Sequence, residues 1–170
     1  MTPPMPQHDI DELLHQHNLW IDSRKARGKR AYLAGANLAG ANLVGVNLER
    51  AYLGGANLAG ANLEGANLVG ANLARANLEG ANLGGANLAG ANLERANLEG
   101  AYLERAYLGG ANLAGANLER AYLGGANLGN IHVWQFGPVG SRGGWLVIKS
   151  GPTLDQVMTG CFLGTLAEFE

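Results

Sequence analysis

The sequence predicts an all-β solenoid across its central hundred residues, and three observations carry this prediction. From Ala31 to Asn130 the chain reads as twenty consecutive pentapeptides without an insertion. The third position of every pentapeptide is Leu, and the first is Ala in every unit except the one that begins with Val46. The fifth position is Gly in fourteen units, which suits a corner because Gly adopts backbone angles that other residues avoid. A chain that points positions one and three inward and then turns, unit after unit, is a β-solenoid.

The same period excludes a long helix for this segment. Leucines five residues apart advance by about 140° around an α-helix, so the apolar positions would spread over every face. The segment also contains nineteen glycines, each of which costs about 1 kcal/mol against Ala inside a helix.

The pattern A-[N/Y]-L-x-[G/R] is similar to the A-[D/N]-L-x-x signature of pentapeptide repeat proteins, and it covers 100 of the 170 residues. The resemblance implies a right-handed quadrilateral β-helix with four pentapeptides per coil, and therefore about five coils for residues 31–130. The regularity of the array leaves open whether the chain is a natural member of that family or an idealised, engineered one.

The residues before the array are predicted to form a disordered tail (1–8), followed by an N-terminal capping helix and a basic connector (9–30). Residues 9–22 have helical periodicity, with a capping-box-like start at Asp9 and Glu12. One helical face, suited to covering the first coil, carries Ile10, Leu13, Leu14, His17 and Ile21. Arg24 to Arg30 holds five basic residues in seven, which indicates either a phosphate-binding patch or, as the favoured interpretation, a solvated connector.

Residues 131–170 are predicted to form a C-terminal β cap over the last coil. Segments 131–136, 145–149 and 157–163 read as strands, with a glycine-rich hairpin turn between the first two and the start of a helix at Thr165. This region resembles segments that follow pentapeptide arrays in bacterial and phage proteins.

A coil of twenty residues would stack equivalent outer side chains into columns. Most second-position columns would be Asn over Asn, which favours side-chain amide ladders. Tyr32 would lie over Tyr52, and Tyr102 over Tyr122, an arrangement that indicates either aromatic packing, which is favoured, or a binding platform. The candidate interaction surface comprises these four tyrosines with Tyr107, the glutamates Glu79, Glu99 and Glu119 of one column, and Trp134 and Trp145.

Composition and motifs narrow the function classes. The chain has 12 basic and 14 acidic residues and a formal charge of −2, so no nucleic-acid partner is expected. No segment is long and apolar enough to span a membrane, and the single cysteine, Cys161, suits a reducing compartment, so a cytoplasmic location is expected. No catalytic set, cofactor motif or metal-ligand spacing is present, and His15 and His17 lie on different sides of the predicted helix. We therefore expect a non-enzyme without cofactors or metals.

The predicted function is a structural or protein-interaction scaffold whose partner is unknown, with Trp134 and Trp145 either covering the core or forming a homodimer interface. The alternative comes from the family resemblance: some members mimic duplex DNA and bind DNA gyrase, in some cases protecting it from quinolones. Such mimicry requires a strongly acidic face. Here Asn stands where the family often has Asp, which disfavours this alternative.

Overall fold

The structure, a computed structural model, describes residues 3–127 and the backbone of four later segments, 135–139, 144–149, 156–159 and 162–165. The chain forms helix α1 (Gln7–Asp22), the pentapeptide array, and strands β1 (Gln135–Val139), β2 (Gly144–Lys149), β3 (Gln156–Thr159) and β4 (Phe162–Thr165). Within these ranges, no helix combines the length and the apolar character needed to cross a bilayer.

Helix α1 begins two residues earlier than predicted. Pro6 precedes it in an extended conformation (φ −60°, ψ 144°), and the Pro6 carbonyl accepts the Asp9 N–H at 3.0 Å. No side chain caps this end, so the predicted capping box at Asp9 and Glu12 is wrong; the fixed φ of proline sets the entry instead. Gln7 and His8 are helical and do not belong to a disordered tail.

The buried face of α1 is the predicted one in its first three turns. Ile10, Leu14 and His17 are buried, and Ile10 and Leu14 join the same apolar core as the leucines of the array. The Met5 N–H also donates to the Asn37 carbonyl at 2.7 Å, which ties the residues before the helix to the array. The N-terminal segment is thus packed against the first pentapeptides.

Parallel bridges join each second-position residue to the residue twenty positions later, from Tyr32 with Tyr52 to Tyr107 with Asn127. Two backbone hydrogen bonds accompany such a bridge. For example, the Leu78 N–H donates to the Asn97 carbonyl at 2.6 Å, and the Asn97 N–H donates to the Ala76 carbonyl at 2.9 Å. Twenty residues, or four pentapeptides, therefore make one coil, and successive coils pair in parallel register.

Positions one and three point inward, as predicted. The third-position leucines from Leu33 to Leu108 are at most 2 % exposed. Burial is incomplete towards the ends of the array, where the partly buried residues are Ala36, Ala41, Val46, Ala111, Leu113, Ala116 and Leu118. The apolar core thus runs along the array and is less well covered at its ends.

Positions four and five form the corner of each unit. In one example the Leu78 carbonyl accepts the Ala81 N–H at 3.0 Å across Glu79 and Gly80, and Gly80 has a φ of +61°. The five fifth-position arginines, Arg50, Arg75, Arg95, Arg105 and Arg120, hold the same left-handed conformation with φ between +56° and +60°. This conformation costs a residue with a Cβ atom about 1–2 kcal/mol, so the corner favours Gly over Arg.

Strands β1 to β4 form an antiparallel sheet in chain order. Of the predicted first strand (131–136), residues 131–134 lie outside the described residues. Strand β1 includes Gln135 and Phe136 and continues to Val139, and its pairing with β2 shifts register between Phe136 and Val139. Pro138 lies inside this irregularity on an edge strand, a position that proline tolerates. The predicted third strand (157–163) is divided into β3 and β4, which pair with each other. Thr165 ends β4, and the rest of the predicted C-terminal helix lies outside the described residues.

Candidate functional site

The second-position asparagines serve the fold. Asn77 Oδ1 accepts the N–H of Glu79 at 3.2 Å, and the Asn77 amide donates to Asn57 Oδ1 at 3.2 Å. The first contact closes a local turn and the second joins two coils. The predicted amide ladder is continuous in one column, which we call the Asn37 column: Asn37, Asn57, Asn77, Asn97 and Asn117. Asparagine is therefore explained by structure and indicates no binding site.

Tyrosine replaces asparagine at five of these positions, and the predicted pairs are confirmed. The rings of Tyr102 and Tyr122 stack with centroids 4.9 Å apart and planes within 3°. The rings of Tyr32 and Tyr52 lie 5.7 Å apart at 55°. A tyrosine side chain cannot make the hydrogen bonds that asparagine makes at these positions. Each of the five positions therefore lacks bonds that stabilise the fold and carries an outward-facing ring instead.

Tyr102, Tyr107 and Tyr122 form what we call the C-terminal tyrosine surface. Tyr107 is five residues after Tyr102, and thus on the next side of the coil; the two rings are 44 % and 45 % exposed. The Tyr107 ring lies over Gly109, where an added Cβ would approach the tyrosine hydroxyl to 2.7 Å. The absence of a side chain at Gly109 thus leaves room for the Tyr107 ring beside the corner.

The column that contains Glu79, Glu99 and Glu119 is partly neutralised by Arg120. Arg120 lies 4.0 Å from both Glu99 and Glu119, and each of the three side chains is more than one-third exposed. Exposed pairs of this kind contribute little to stability. They do reduce the negative field of the column that holds Glu79, Glu99 and Glu119.

A cluster around Arg30 was not predicted as a site. The Arg30 guanidinium lies 3.8 Å from the centroid of the Tyr52 ring and 5.6 Å from that of Trp20. Its Nη1 donates to the Tyr52 hydroxyl at 2.8 Å, and its Nε donates to the Arg50 carbonyl. Arg30 precedes Arg50 by twenty residues, which is the length of one coil. Applying the same twenty-residue register to the residues before the array would have placed Arg30 over Arg50 and therefore beside Tyr52.

His17 links α1 to the start of the array. The buried His17 Nδ1 accepts the Ala31 N–H at 3.1 Å, and the imidazole stacks on Trp20 with ring centroids 5.6 Å apart. Burial lowers the pKa of His17, Arg30 acts in the same direction, and the Glu49 backbone and carboxylate partly oppose the shift. A neutral ring whose proton is on Nε2 fits this arrangement, since Nδ1 must accept.

The remaining candidates lie in the C-terminal region. Trp134 is outside the described residues, and Trp145 belongs to β2. Among the residues that the structure describes, no three His, Cys, Asp or Glu side chains are grouped so as to hold a metal ion.

Comparisons with known proteins agree with the repeat pattern. The family model for pentapeptide repeats matches residues 31–70, 56–95 and 91–130. No curated protein sequence matches the chain significantly. The solved structures that are similar include Rfr23, a pentapeptide repeat protein from the cyanobacterium Cyanothece 51142. It is 38 % identical over 62 % of this chain and 69 % of its own, with a TM-score of 0.34.

Two further structures illustrate the range of similarity. HetL, a pentapeptide repeat protein involved in heterocyst differentiation regulation in Nostoc sp. strain PCC 7120, is 35 % identical over 57 % of this chain and 63 % of its own, with a TM-score of 0.30. QnrB1, a plasmid-mediated fluoroquinolone resistance protein, is 18 % identical over 61 % of this chain and 65 % of its own in a trypsin-treated form, with a TM-score of 0.36. This chain thus spans between 63 % and 69 % of the length of these three proteins.

Proposed function

This chain belongs to the pentapeptide repeat family, and we propose that it acts as a non-catalytic scaffold that binds a protein partner through fixed side chains on its outer faces. Proteins of this family fold as right-handed quadrilateral β-helices. In this proposal residues 31–130 form five coils, α1 caps the first coil, and the C-terminal sheet caps the last. The expected setting is the cytoplasm.

The exposure of the C-terminal tyrosine surface carries the proposal. Asparagine would complete a turn at each of these positions, as Asn82 and Asn87 do one coil earlier, yet Tyr102 and Tyr107 present large, nearly half-exposed side chains there. Aromatic rings are enriched at the centres of protein interfaces because they bury much area and have few rotatable bonds. The coil backbone also fixes their spacing, so a partner would bind without first ordering a loop.

A filled interior supports the non-catalytic part of the proposal. The Leu side chains from Leu33 to Leu108 occupy the axis of the array and are almost inaccessible to solvent. A catalytic site needs a nucleophile or a general base in a concave site near substrate. The polar, charged and aromatic side chains of the described array instead lie in regular columns on its outer surface.

The DNA-mimic alternative finds less support in the charges. The array contains seven glutamates and five arginines, and Arg120 lies within 4.0 Å of two of the three glutamates in the most acidic column. A supercoiling assay with DNA gyrase, with and without a quinolone, tests the alternative directly. Inhibition or protection at low micromolar protein would replace the scaffold proposal with gyrase binding.

Site-specific photo-crosslinking tests the proposed surface. A benzophenone side chain at position 107 is compared with the same group at Asn67, which lies in the same column two coils earlier. We expect one discrete crosslinked product from position 107 and none from position 67 in cells that express the chain. The mass of the product separates a second copy of this chain from another protein.

Tyr107→Asn provides the matched functional control because it restores the residue that most repeats carry. The variant should fold normally and compete poorly with the unsubstituted protein for the crosslinked partner. Equal crosslinking at both positions, or full competition by the variant, would refute the assignment of this surface.

A further inference from the structure

A second surface, at the other end of the array, has a different chemistry. We call it the N-terminal basic patch: Arg24, Lys25, Arg27, Lys29 and Arg30, with the aromatic rings of Trp20, Tyr32 and Tyr52. Arg24, Lys25, Arg27 and Lys29 are exposed, and none of the five basic side chains pairs with an acidic side chain among the described residues. In contrast, Arg50 and Arg95 in the array each lie within 4 Å of a neighbouring glutamate. Unneutralised, mutually repelling charges in one short segment suit an anionic ligand.

The backbone of this segment is held in place and is not a loose connector. The Lys25 N–H donates to the Trp20 carbonyl at 2.6 Å, and the Lys29 N–H donates to the Gln16 carbonyl at 3.1 Å. Arg24 and Lys25 also adopt left-handed φ values of 53° and 76°. Such conformations cost residues other than glycine about 1–3 kcal/mol each. The left-handed Arg24 and the Lys25 bond to Trp20 form an ordinary helix C-terminus. The Lys29 bond to Gln16 additionally holds the exposed connector against α1.

The Arg30 guanidinium is preorganised. The Tyr52 and Trp20 rings lie on it at 3.8 Å and 5.6 Å, and two hydrogen bonds fix its Nε and Nη1. The Lys25 ammonium lies 5.6 Å from the centroid of the Trp20 ring. A guanidinium held in one orientation loses little entropy when it binds an oxyanion, and the N–H groups of Nη2 and the second N–H of Nη1 remain to donate to a phosphate.

Tyr32 provides an exposed aromatic ring beside the positive charges of the patch. Its side chain is 71 % exposed, and its ring lies 5.7 Å from Tyr52, the residue that stacks on Arg30. An exposed tyrosine ring beside positive charges is the combination that binds single-stranded nucleic acid, in which bases stack on aromatic rings while cations follow the phosphates. An acidic peptide would use the cations and leave Tyr32 without a role.

We propose that the N-terminal basic patch binds single-stranded nucleic acid, with backbone phosphates on Arg30 and the flanking basic residues and one base stacked on Tyr32. The formal charge of −2 for the whole chain, which argued against a nucleic-acid partner, conceals this local excess of positive charge. The patch is separate in the chain from the C-terminal tyrosine surface, so the two proposals fail independently.

Fluorescence anisotropy with a labelled thymidine oligonucleotide of about ten residues tests the proposal. Binding should weaken with salt, and phosphate contacts by all five basic residues of the patch predict a slope of log K against log salt of about −3.5. Tyr32→Asn keeps every charge and restores the residue typical of the repeats. It should weaken binding about 5- to 150-fold, the effect of losing one stacked base. Arg75→Gly removes a positive charge elsewhere on the array and should change affinity less than twofold.

Competition identifies the class of ligand. We expect that duplex DNA of the same length and a polyglutamate peptide displace the labelled strand poorly. No binding at low salt would overturn the proposal. Equal competition by polyglutamate together with no effect of Tyr32→Asn would also overturn it, because the patch would then be a general polyanion site. Circular dichroism of Tyr32→Asn establishes that any loss of binding occurs in a folded protein.

Discussion

Leu78→Ala is expected to destabilise the array strongly because Leu78 is fully buried at its centre. The side chain is 0 % exposed, and so are Leu58 and Leu98, the leucines one coil before and one coil after it. Loss of three buried carbons removes about 2.4 kcal/mol of transfer free energy at about 0.8 kcal/mol each. Leu→Ala changes in protein cores cost about 3–5 kcal/mol in total, because the cavity adds its own term.

We expect the upper part of this range for Leu78→Ala, because the surrounding backbone cannot collapse into the cavity. The Leu58 and Leu78 N–H groups both donate across the coils, at 2.7 Å and 2.6 Å respectively, which fixes the spacing of the coils. A loss of about 3–5 kcal/mol corresponds to a fall in Tm of roughly 6–20 °C for a chain of this size. Urea titration and thermal melting, both followed by circular dichroism, measure the two quantities.

Leu118→Ala is the matched control. Leu118 occupies the same column two coils later but is only partly buried. It should therefore lose less transfer free energy and leave a cavity open to solvent, with less than half the effect of Leu78→Ala. In a repeat protein its effect should also remain local to the last coil. Equal destabilisation by the two variants would refute the assignment of the core from the inward leucines.

Three further perturbations test other parts of the structure. Arg75→Gly should raise the free energy of unfolding in urea by about 1 kcal/mol, because φ at this corner is +60° and glycine adopts it without steric cost; a lower value would contradict this. Asn77→Asp should lower the free energy of unfolding by about 0.5–1.5 kcal/mol, because the acid still accepts from Glu79 but no longer donates to Asn57, and Asn77→Ala should lower it further. Identical losses for the two Asn77 variants would mean that the turn bond from the Glu79 N–H, which only the Asp variant keeps, contributes nothing. Since burial lowers the pKa of His17 below its usual 6.5, the unfolded chain takes up a proton at a higher pH than the folded one. Stability should thus be complete above pH 6.5 and decline as the pH falls below it, and His17→Gln should flatten this part of the profile measured by thermal melting.

The array could be predicted from the sequence because each position of the pentapeptide has one physical task. Leu in all third positions requires an interior at that spacing, and the positive φ of each corner is compatible with the frequent Gly. The twenty-residue coil followed from the family resemblance, since period five by itself does not define how many units close a turn. With that register, the Tyr102–Tyr122 stack and the Asn37 column were both predictable.

The ends were harder to predict because their residues lack a repeated context. The apolar segment 157–163 did not reveal that β3 ends at Thr159 and β4 begins at Phe162. At the other end, the position of the Arg30 side chain depends on Tyr52. Tyr52 is twenty-two residues away in the sequence and contacts Arg30 only once the first coil has formed. Asp9 and Glu12 matched a capping motif, but Pro6 set the start of the helix earlier.

Because successive coils repeat the same backbone, the number of coils sets the distance between the two ends of the array. Each coil adds one strand spacing, about 4.8 Å, along the axis, and equivalent residues lie above one another. Inserting or deleting twenty residues between Asn72 and Asn92 would therefore change the distance between the two ends in steps of about 4.8 Å. Whatever binds near Arg30 and near Tyr107 would be held at a separation set by the number of coils, and a family of length variants would measure how strictly that separation matters.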